Sequence, residues 1–280
     1  MFKSGDITLT VSRINGKVKL TGKRKIIADK LFDCNLFRAP TDNDGIKLWS
    51  GQEYKPLGKW LKAGLDKLKL RNINFETEPG ENCCTLKIEK LLSGNQDIEN
   101  VKFIQYITVN NNGKIDFTQE YFIPEEFPSM PRIGVAGNFA EDFCEYEYFG
   151  RGPHENYTDR RASAQVGLFH SNVYDNFEKN YVMPQENGNR TDTRYVKLFS
   201  PETTVRISSK TPFEFGISRY SAMDLFKAHH PSELKERPYT ILTLDLAQRG
   251  LGTGSCGPQT LPEYELNEKY YKFSFSLEII

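Results

Sequence analysis

Apolar residues recur at every second position along most of the chain, the period expected of strands that bury one face. Ile7, Leu9 and Val11 share a face, and Val18 and Leu20 resume the pattern after Asn15-Gly16, a dipeptide suited to hairpin turns. Val101, Phe103, Ile107 and Val109 predict a strand that stops at Asn110-Asn111-Asn112-Gly113, with Ile115 and Phe117 beginning the return strand. Phe213, Phe215 and Ile217 alternate after Pro212, Leu242, Leu244 and Leu246 do likewise, and Phe273, Phe275, Leu277 and Ile279 form the last run. Strands this dense, punctuated by Gly, Pro and Asn, predict an all-β sandwich.

Helical signal is sparse. Leu57, Trp60, Leu61, Leu65 and Leu68 fall at helical spacing after Pro56, with Gly64 interrupting them. A second short helix is predicted from a Ser221 cap, with Asp224 three residues on, to a stop before Pro231. No repeat, low-complexity tract or linker divides residues 1–280, so a single domain is expected.

Charge narrows the choice of partner. The 37 basic and 37 acidic residues cancel, which argues against nucleic acid. No apolar window is long enough to span a membrane, and the first residues lack the apolar core of a signal peptide. The five cysteines are odd in number and contain no C-x-x-C pair, so neither a disulfide framework nor a zinc site is signalled. Cys34 and Cys144, among apolar neighbours, read as buried small hydrophobes. A reducing, cytoplasmic setting fits best, or a periplasmic one if the chain is part of an exported enzyme. The sequons at Asn156 and Asn189 fall in loops that look packed rather than free.

Four polar islands break the alternation. The first is Phe37-Arg38-Ala39-Pro40-Thr41-Asp42-Asn43-Asp44-Gly45. Its Asx side chains suit a turn, its spacing does not match an EF-hand, and Arg38 is placed to pair with an aspartate. The second runs from Tyr148 to Arg161 and concentrates Arg151, His154, Glu155, Tyr157, Asp159 and Arg160. Such a set either contacts a sugar, with Tyr148 or Tyr157 stacking on a ring, or forms a satisfied network that fixes strand register. The third, Met183 to Asp192, holds Glu186, Asn187 and Arg190 and shares that ambiguity. The fourth is Gly250-Leu251-Gly252-Thr253-Gly254-Ser255-Cys256-Gly257-Pro258, whose glycines suit a loop leaning on a neighbouring surface. Pairs such as Glu155 with Asp159, or Glu186 with Asp192, could be proposed for glycoside hydrolysis, but the interleaved arginines point to ion pairing instead. His229-His230 lacks visible co-ligands, and no metal is assigned.

In this order the islands resemble the C-terminal, small-chain region of glycoside hydrolase family 2 β-galactosidases, whose patterns are approximately R-A-P-T-D-N-D, G-x-G-P-x-E-N-Y-x-D-R, P-x-E-N-G and G-G-D-S-C-G-P. The chain departs only in the last, with Gly252-Thr253-Gly254 where the family usually has Gly-Gly-Asp. The resemblance implies a galactose-mutarotase-like antiparallel super-sandwich with one or two short helices. It also implies that the chain supports hydrolysis of terminal non-reducing β-D-galactosides by a retaining mechanism. The catalytic glutamates would lie on a separate barrel-containing domain or large subunit, so this chain alone is expected to be inactive and to hold no catalytic residue. Any divalent or monovalent metal would belong to the full enzyme. Cys256, flanked by Ser255 and Gly257, is placed at the rim of the substrate pocket, where some members carry a stacking tryptophan. Asn110, Asn111, Asn112 and Gly113 match a mobile loop near that pocket, or form a plain hairpin turn. The alternatives are a stand-alone aldose 1-epimerase built on a His154/Glu155 type of pair, and a non-catalytic carbohydrate-binding or assembly module.

Overall fold

The structure, a computed structural model, describes residues 1–280 except Arg24, Leu48, Gln96, Asp97 and Ser255. Its strands are β1 (Phe2–Ser4), β2 (Ile7–Val11), β3 (Val18–Gly22), β4 (Lys25–Asn35), β5 (Lys69–Pro79), β6 (Cys83–Ser93), β7 (Val101–Asn110), β8 (Ile115–Phe122), β9 (Arg132–Phe139), β10 (Glu145–Gly152), β11 (Gln165–Asn172), β12 (Arg190–Phe199), β13 (Thr204–Ser218), β14 (Thr240–Gln248) and β15 (Tyr270–Ile279). The helices are α1 (Pro56–Ala63) and α2 (Ala222–Lys227), with short 3-10 turns elsewhere.

The strand path runs β1-β2-β3-β4-β9-β14-β13-β15-β8-β7-β6-β5, with β12, β10 and β11 branching from β13, and the described pairings are antiparallel. β13 is the junction: β12 pairs with it from Thr204 to Phe215, while on its other edge the first part pairs with β15 and the second with β14. The expected strand after Pro212 therefore begins eight residues earlier, at Thr204. Pro212, which has no N–H to give a ladder, sits where β13 changes partners.

The two layers meet through aromatic side chains. Phe32 of β4 contacts Phe117 of β8 and Phe275 of β15 edge-on, with ring centroids 5.4 and 5.0 Å apart. Phe32 has φ 44°, at the irregular pairing of β4 with β9, a left-handed conformation disfavoured for a bulky residue. Its complete burial among three rings offsets that strain. Leu242 and Leu244 join the core, whereas a bulge between Asp245 and Ala247 leaves Leu246 only partly buried.

Gly64 ends α1 in the left-handed conformation (φ 75°), so Leu65 and Leu68 fall outside the helix that their spacing suggested. α2 carries the expected capping box, the Ser221 side chain accepting from Asp224 N–H and the Asp224 side chain reaching back to Ser221. Cys34, near the end of β4 and packed against the core, and Cys144, just before β10, are only half-buried.

Candidate functional site

The four polar islands converge, although up to 214 residues of sequence separate their contacting groups. Arg38 is fully buried and donates through Nε and Nη2 to the two carboxylate oxygens of Asp44, at 3.1 and 2.8 Å. Its remaining donors reach the carbonyls of Arg249 and Gly250. This bidentate pair satisfies a charge that burial would otherwise penalise heavily. Asn43 donates to the carbonyls of Leu251 (3.0 Å) and Gly254 (2.7 Å), and its Oδ1 accepts from Gly257 N–H at 2.6 Å. Asp159, from the second island, accepts from Leu251 N–H (3.0 Å), Gly252 N–H (2.8 Å) and the Thr260 hydroxyl (2.8 Å). The first and second islands thus clamp the fourth from two sides.

The glycines of that loop serve the clamp. A Cβ on Gly250 would lie 2.2 Å from Thr260 Oγ1 and 2.5 Å from Asp159 Oδ2, and one on Gly257 would lie 1.9 Å from the Thr253 carbonyl. The close neighbours at Gly250 and Gly257 therefore belong to this chain itself, while Gly254 faces open space. Cys256 projects from the clamped loop as an exposed residue with φ 56°. Ser255 lies outside the described residues. Beside the loop is a cleft of about 490 Å³ whose walls include Thr41, Asp42, Arg160, Tyr181, Gln185 and Gly252.

The second and third islands form one hydrogen-bonded network. Glu155 accepts from Arg160, the Tyr181 hydroxyl and Gly188 N–H, the last at 2.9 Å. Burial, followed by the bond to Glu155, pushes the Tyr181 phenol up to about 12, so it stays a donor. Arg151 pairs with Asp192 and donates to the Ala164 carbonyl. Arg190 donates to the Tyr148 hydroxyl and to the carbonyls of Gly188 and Asn189. Asn187 accepts from Glu178 N–H at 3.1 Å. Tyr148 and Tyr157 are buried, with the guanidinium groups of Arg190 and Arg160 over their rings, so neither presents a free face. His154 is exposed and bonded to Ser163. The sequon residues Asn156 and Asn189 are fully packed, Asn156 Oδ1 accepting from both the N–H and the hydroxyl of Thr191.

Beneath these islands lies a charged layer that the sequence patterns did not single out. Arg132 binds Asp245 in two places (3.1 and 2.6 Å) and Glu186 at 3.3 Å. Glu186 also accepts from Ala39 N–H. Burial lifts Asp245 to about 6 against the pull of Arg132, leaving it ionised at neutral pH. Glu214, with Asn189 donating to it at 2.6 Å, is pushed to about 8, chiefly by burial. Lys47 is buried too; it donates to the carbonyls of Pro184, Leu225 and Ala228, and burial lowers it to about 8. The stripe Arg132, Gly134, Ala136, Asn138, polar or small at every second position, was the available signal for this layer.

The carboxylate pairs suggested by sequence do not assemble as such, since Glu155, Asp159, Glu186 and Asp192 each have separate partners. Asn110–Gly113 is a hydrogen-bonded hairpin turn: Gly113 N–H donates to the Asn110 carbonyl (3.0 Å) and Asn111 N–H to the Asn82 carbonyl (3.0 Å). It borders a cleft with Ser4, Ile7 and Ile279, different from the one beside Gly252 and Gly254. Among the described residues no cluster of three or more His, Cys, Asp or Glu is placed to hold a metal, and no helix is long and apolar enough to cross a membrane.

Comparison with known proteins gives these features a family. The chain is 31% identical to a β-galactosidase of Actinobacillus pleuropneumoniae over 254 residues, covering 90% of this chain and 24% of that protein. It is 29% identical to a β-galactosidase of Kluyveromyces lactis over 287 residues, covering 98% of this chain and 26% of the relative. It therefore spans about a quarter of the length of these curated relatives. In fold it is similar to a galactose 1-epimerase from Lactobacillus acidophilus (TM-score 0.59, 7% identity, 100% of this chain and 92% of that one). An aldose epimerase homologue from C. elegans is also similar (TM-score 0.52, 10% identity, 100% and 97%). These likenesses make the sandwich galactose-mutarotase-like. The family described as the β-galactosidase small chain matches residues 3–277, and the chain belongs to it.

Proposed function

We propose that this chain is the small-chain part of a β-galactosidase, within glycoside hydrolase family 2. It supports and partly completes an active site whose catalytic carboxylates lie on a barrel-containing domain or large subunit. The observation that carries this reading is a family match along nearly the whole chain, which nonetheless covers only about a quarter of each relative. A retaining mechanism needs an acid/base and a nucleophilic carboxylate about 5–5.5 Å apart. Here the candidate carboxylates are engaged by arginines or backbone amides, which favours an isolated chain without hydrolase activity. Any metal would be held by the rest of the enzyme. The clamped loop carrying Cys256 and Gly257 is the part offered to the partner and to the β-galactoside, because it is both preorganised and exposed. Five free thiols fit a cytoplasmic setting.

The test is complementation. The purified chain should leave nitrophenyl β-D-galactoside intact, and addition of a barrel-containing chain should restore hydrolysis. Appreciable turnover by the chain alone, with contaminating enzyme removed, would refute the reading.

A further inference from the structure

β9, β14 and β13 lie side by side, and one face of the three is unlike an ordinary core face. Ile133, Val135 and Phe139 on β9, Leu242 and Leu244 on β14, and Phe213, Phe215 and Ile217 on β13 supply the apolar core. The alternate residues make a grid on the opposite face. Asn138 pairs with Ile241, which pairs with Ser218; Ala136 pairs with Thr243, which pairs with Gly216; and Gly134 pairs with Asp245, which pairs with Glu214. The middle row consists of small residues, and this is where a cleft of about 360 Å³ opens. The segment around Leu36, the turn at Leu65 and helix α2, through Met223, wall it in. A sheet face lined with small and polar side chains, then roofed by loops, is what remains when a fold keeps space for a small polar molecule.

We infer that this cleft is a non-catalytic site for one neutral pyranose ring, separate from the cleft beside Gly252 and Gly254. Three observations define the ligand. The cleft's volume lies near the lower end of small-molecule pockets, about 300–1,000 Å³, which suits one ring rather than a chain of sugars. Its cations are already matched, Arg132 with Asp245 and Glu186 and Lys30 with Asp33 at 3.3 Å, while the lining Asp66 keeps a buried Oδ1 that accepts from no described group. No strong unpaired cation is offered to a phosphate or carboxylate. What is left over, besides that carboxylate acceptor, is neutral hydrogen-bonding capacity, because the lining carboxamides of Asn35 and Asn138 bond to no described side chain or backbone group and both residues are only half-buried. Each amide presents a donor and an acceptor, the pattern that adjacent ring hydroxyls can meet. The apolar wall at Leu36, Leu65 and Met223 would face the ring's carbon-bound hydrogens. None of His154, His170, His229 or His230 lines the cleft, so binding is assigned there without proton transfer by histidine.

The experiment is a titration of the full chain with D-galactose and, separately, D-glucose, followed by backbone amide shifts. Saturable shifts should concentrate at residues 134–138, 216–218 and 241–243. Asn138→Leu, at a half-exposed position, should keep the dispersed spectrum of a folded chain while weakening sugar binding about tenfold, the scale of one or two lost hydrogen bonds. Asn35→Ala, at the last residue of β4, should weaken it in the same direction. Shifts that never saturate, that map to residues 250–257 instead, or that persist unchanged in both folded variants would overturn the inference. The titration needs no barrel-containing partner, so its result is independent of the complementation test.

Discussion

Replacing Glu214 by glutamine isolates the energetic consequence of a carboxyl held in the buried layer. Burial raises this group from 4.5 to about 8 in the folded chain, with Asp245 adding repulsion and Asn189 opposing. Between those pH values the folded state keeps a proton that the unfolded state has released, so stability falls as pH rises. It is highest below the unfolded value and levels off above the folded one. At about 1.4 kcal/mol per pH unit, the wild-type chain should be less stable near pH 8 than near pH 4.5 by roughly 4 kcal/mol from this group alone. Glutamine keeps the bond from Asn189 but sets an amide against Gln248 N–H, now 3.3 Å from Glu214, a pH-independent cost of about 1 kcal/mol. Urea unfolding of both proteins from pH 5 to 8 reads the difference. The wild type should lose ground against Glu214→Gln with each unit, and the variant should be the more stable protein at pH 8. Parallel stability curves would refute the reasoning, because a group with an ordinary pKa contributes no slope in this window.

The other predictions concern the rim. Arg38→Met leaves Asp44 buried beside Arg249 at 3.6 Å as its remaining cation, and should cost about 3–5 kcal/mol, seen as a large fall in unfolding midpoint. Asp159→Ala removes the acceptor for three donors and should reduce hydrolysis in the complemented enzyme more than it lowers the midpoint, since the loop is loosened while the sheets persist. Cys256→Trp supplies an aromatic surface worth about 0.5–1.5 kcal/mol of contact, and should lower KM for aryl galactosides severalfold in the complemented enzyme. An unchanged KM would remove Cys256 from the pocket's edge.

The sandwich was legible because its strands obey a simple alternation that local sequence displays. The Ser221-Asp224 cap was readable for the same reason, being a short-range hydrogen-bond pattern. Gly64 was visible as an interruption, but its left-handed termination of α1 depends on geometry that spacing alone does not specify. The islands were visible as clusters of polar residues; who bonds whom was not. Arg38 does pair with an aspartate of its own island, yet its other contacts lie at Arg249 and Gly250, across the chain. Glu214 looked like any polar residue on the outer face of a strand, and only its neighbours Asn189 and Asp245 reveal its unusual protonation. The loop glycines suggested close approach of backbone, but not that Thr260, Asp159 and the Thr253 carbonyl of this chain are among the groups they admit.

The span from Arg38 to Gly250 also sets an order of events during synthesis. A nascent chain that has not yet emerged past position 250 carries a guanidinium whose destined carbonyls do not exist, so the clamp is unmade even if the earlier sheets have already closed. Incomplete copies would thus leave Arg38 and Asn43 without their carbonyl partners, and a sound first island requires chains translated through the last strands.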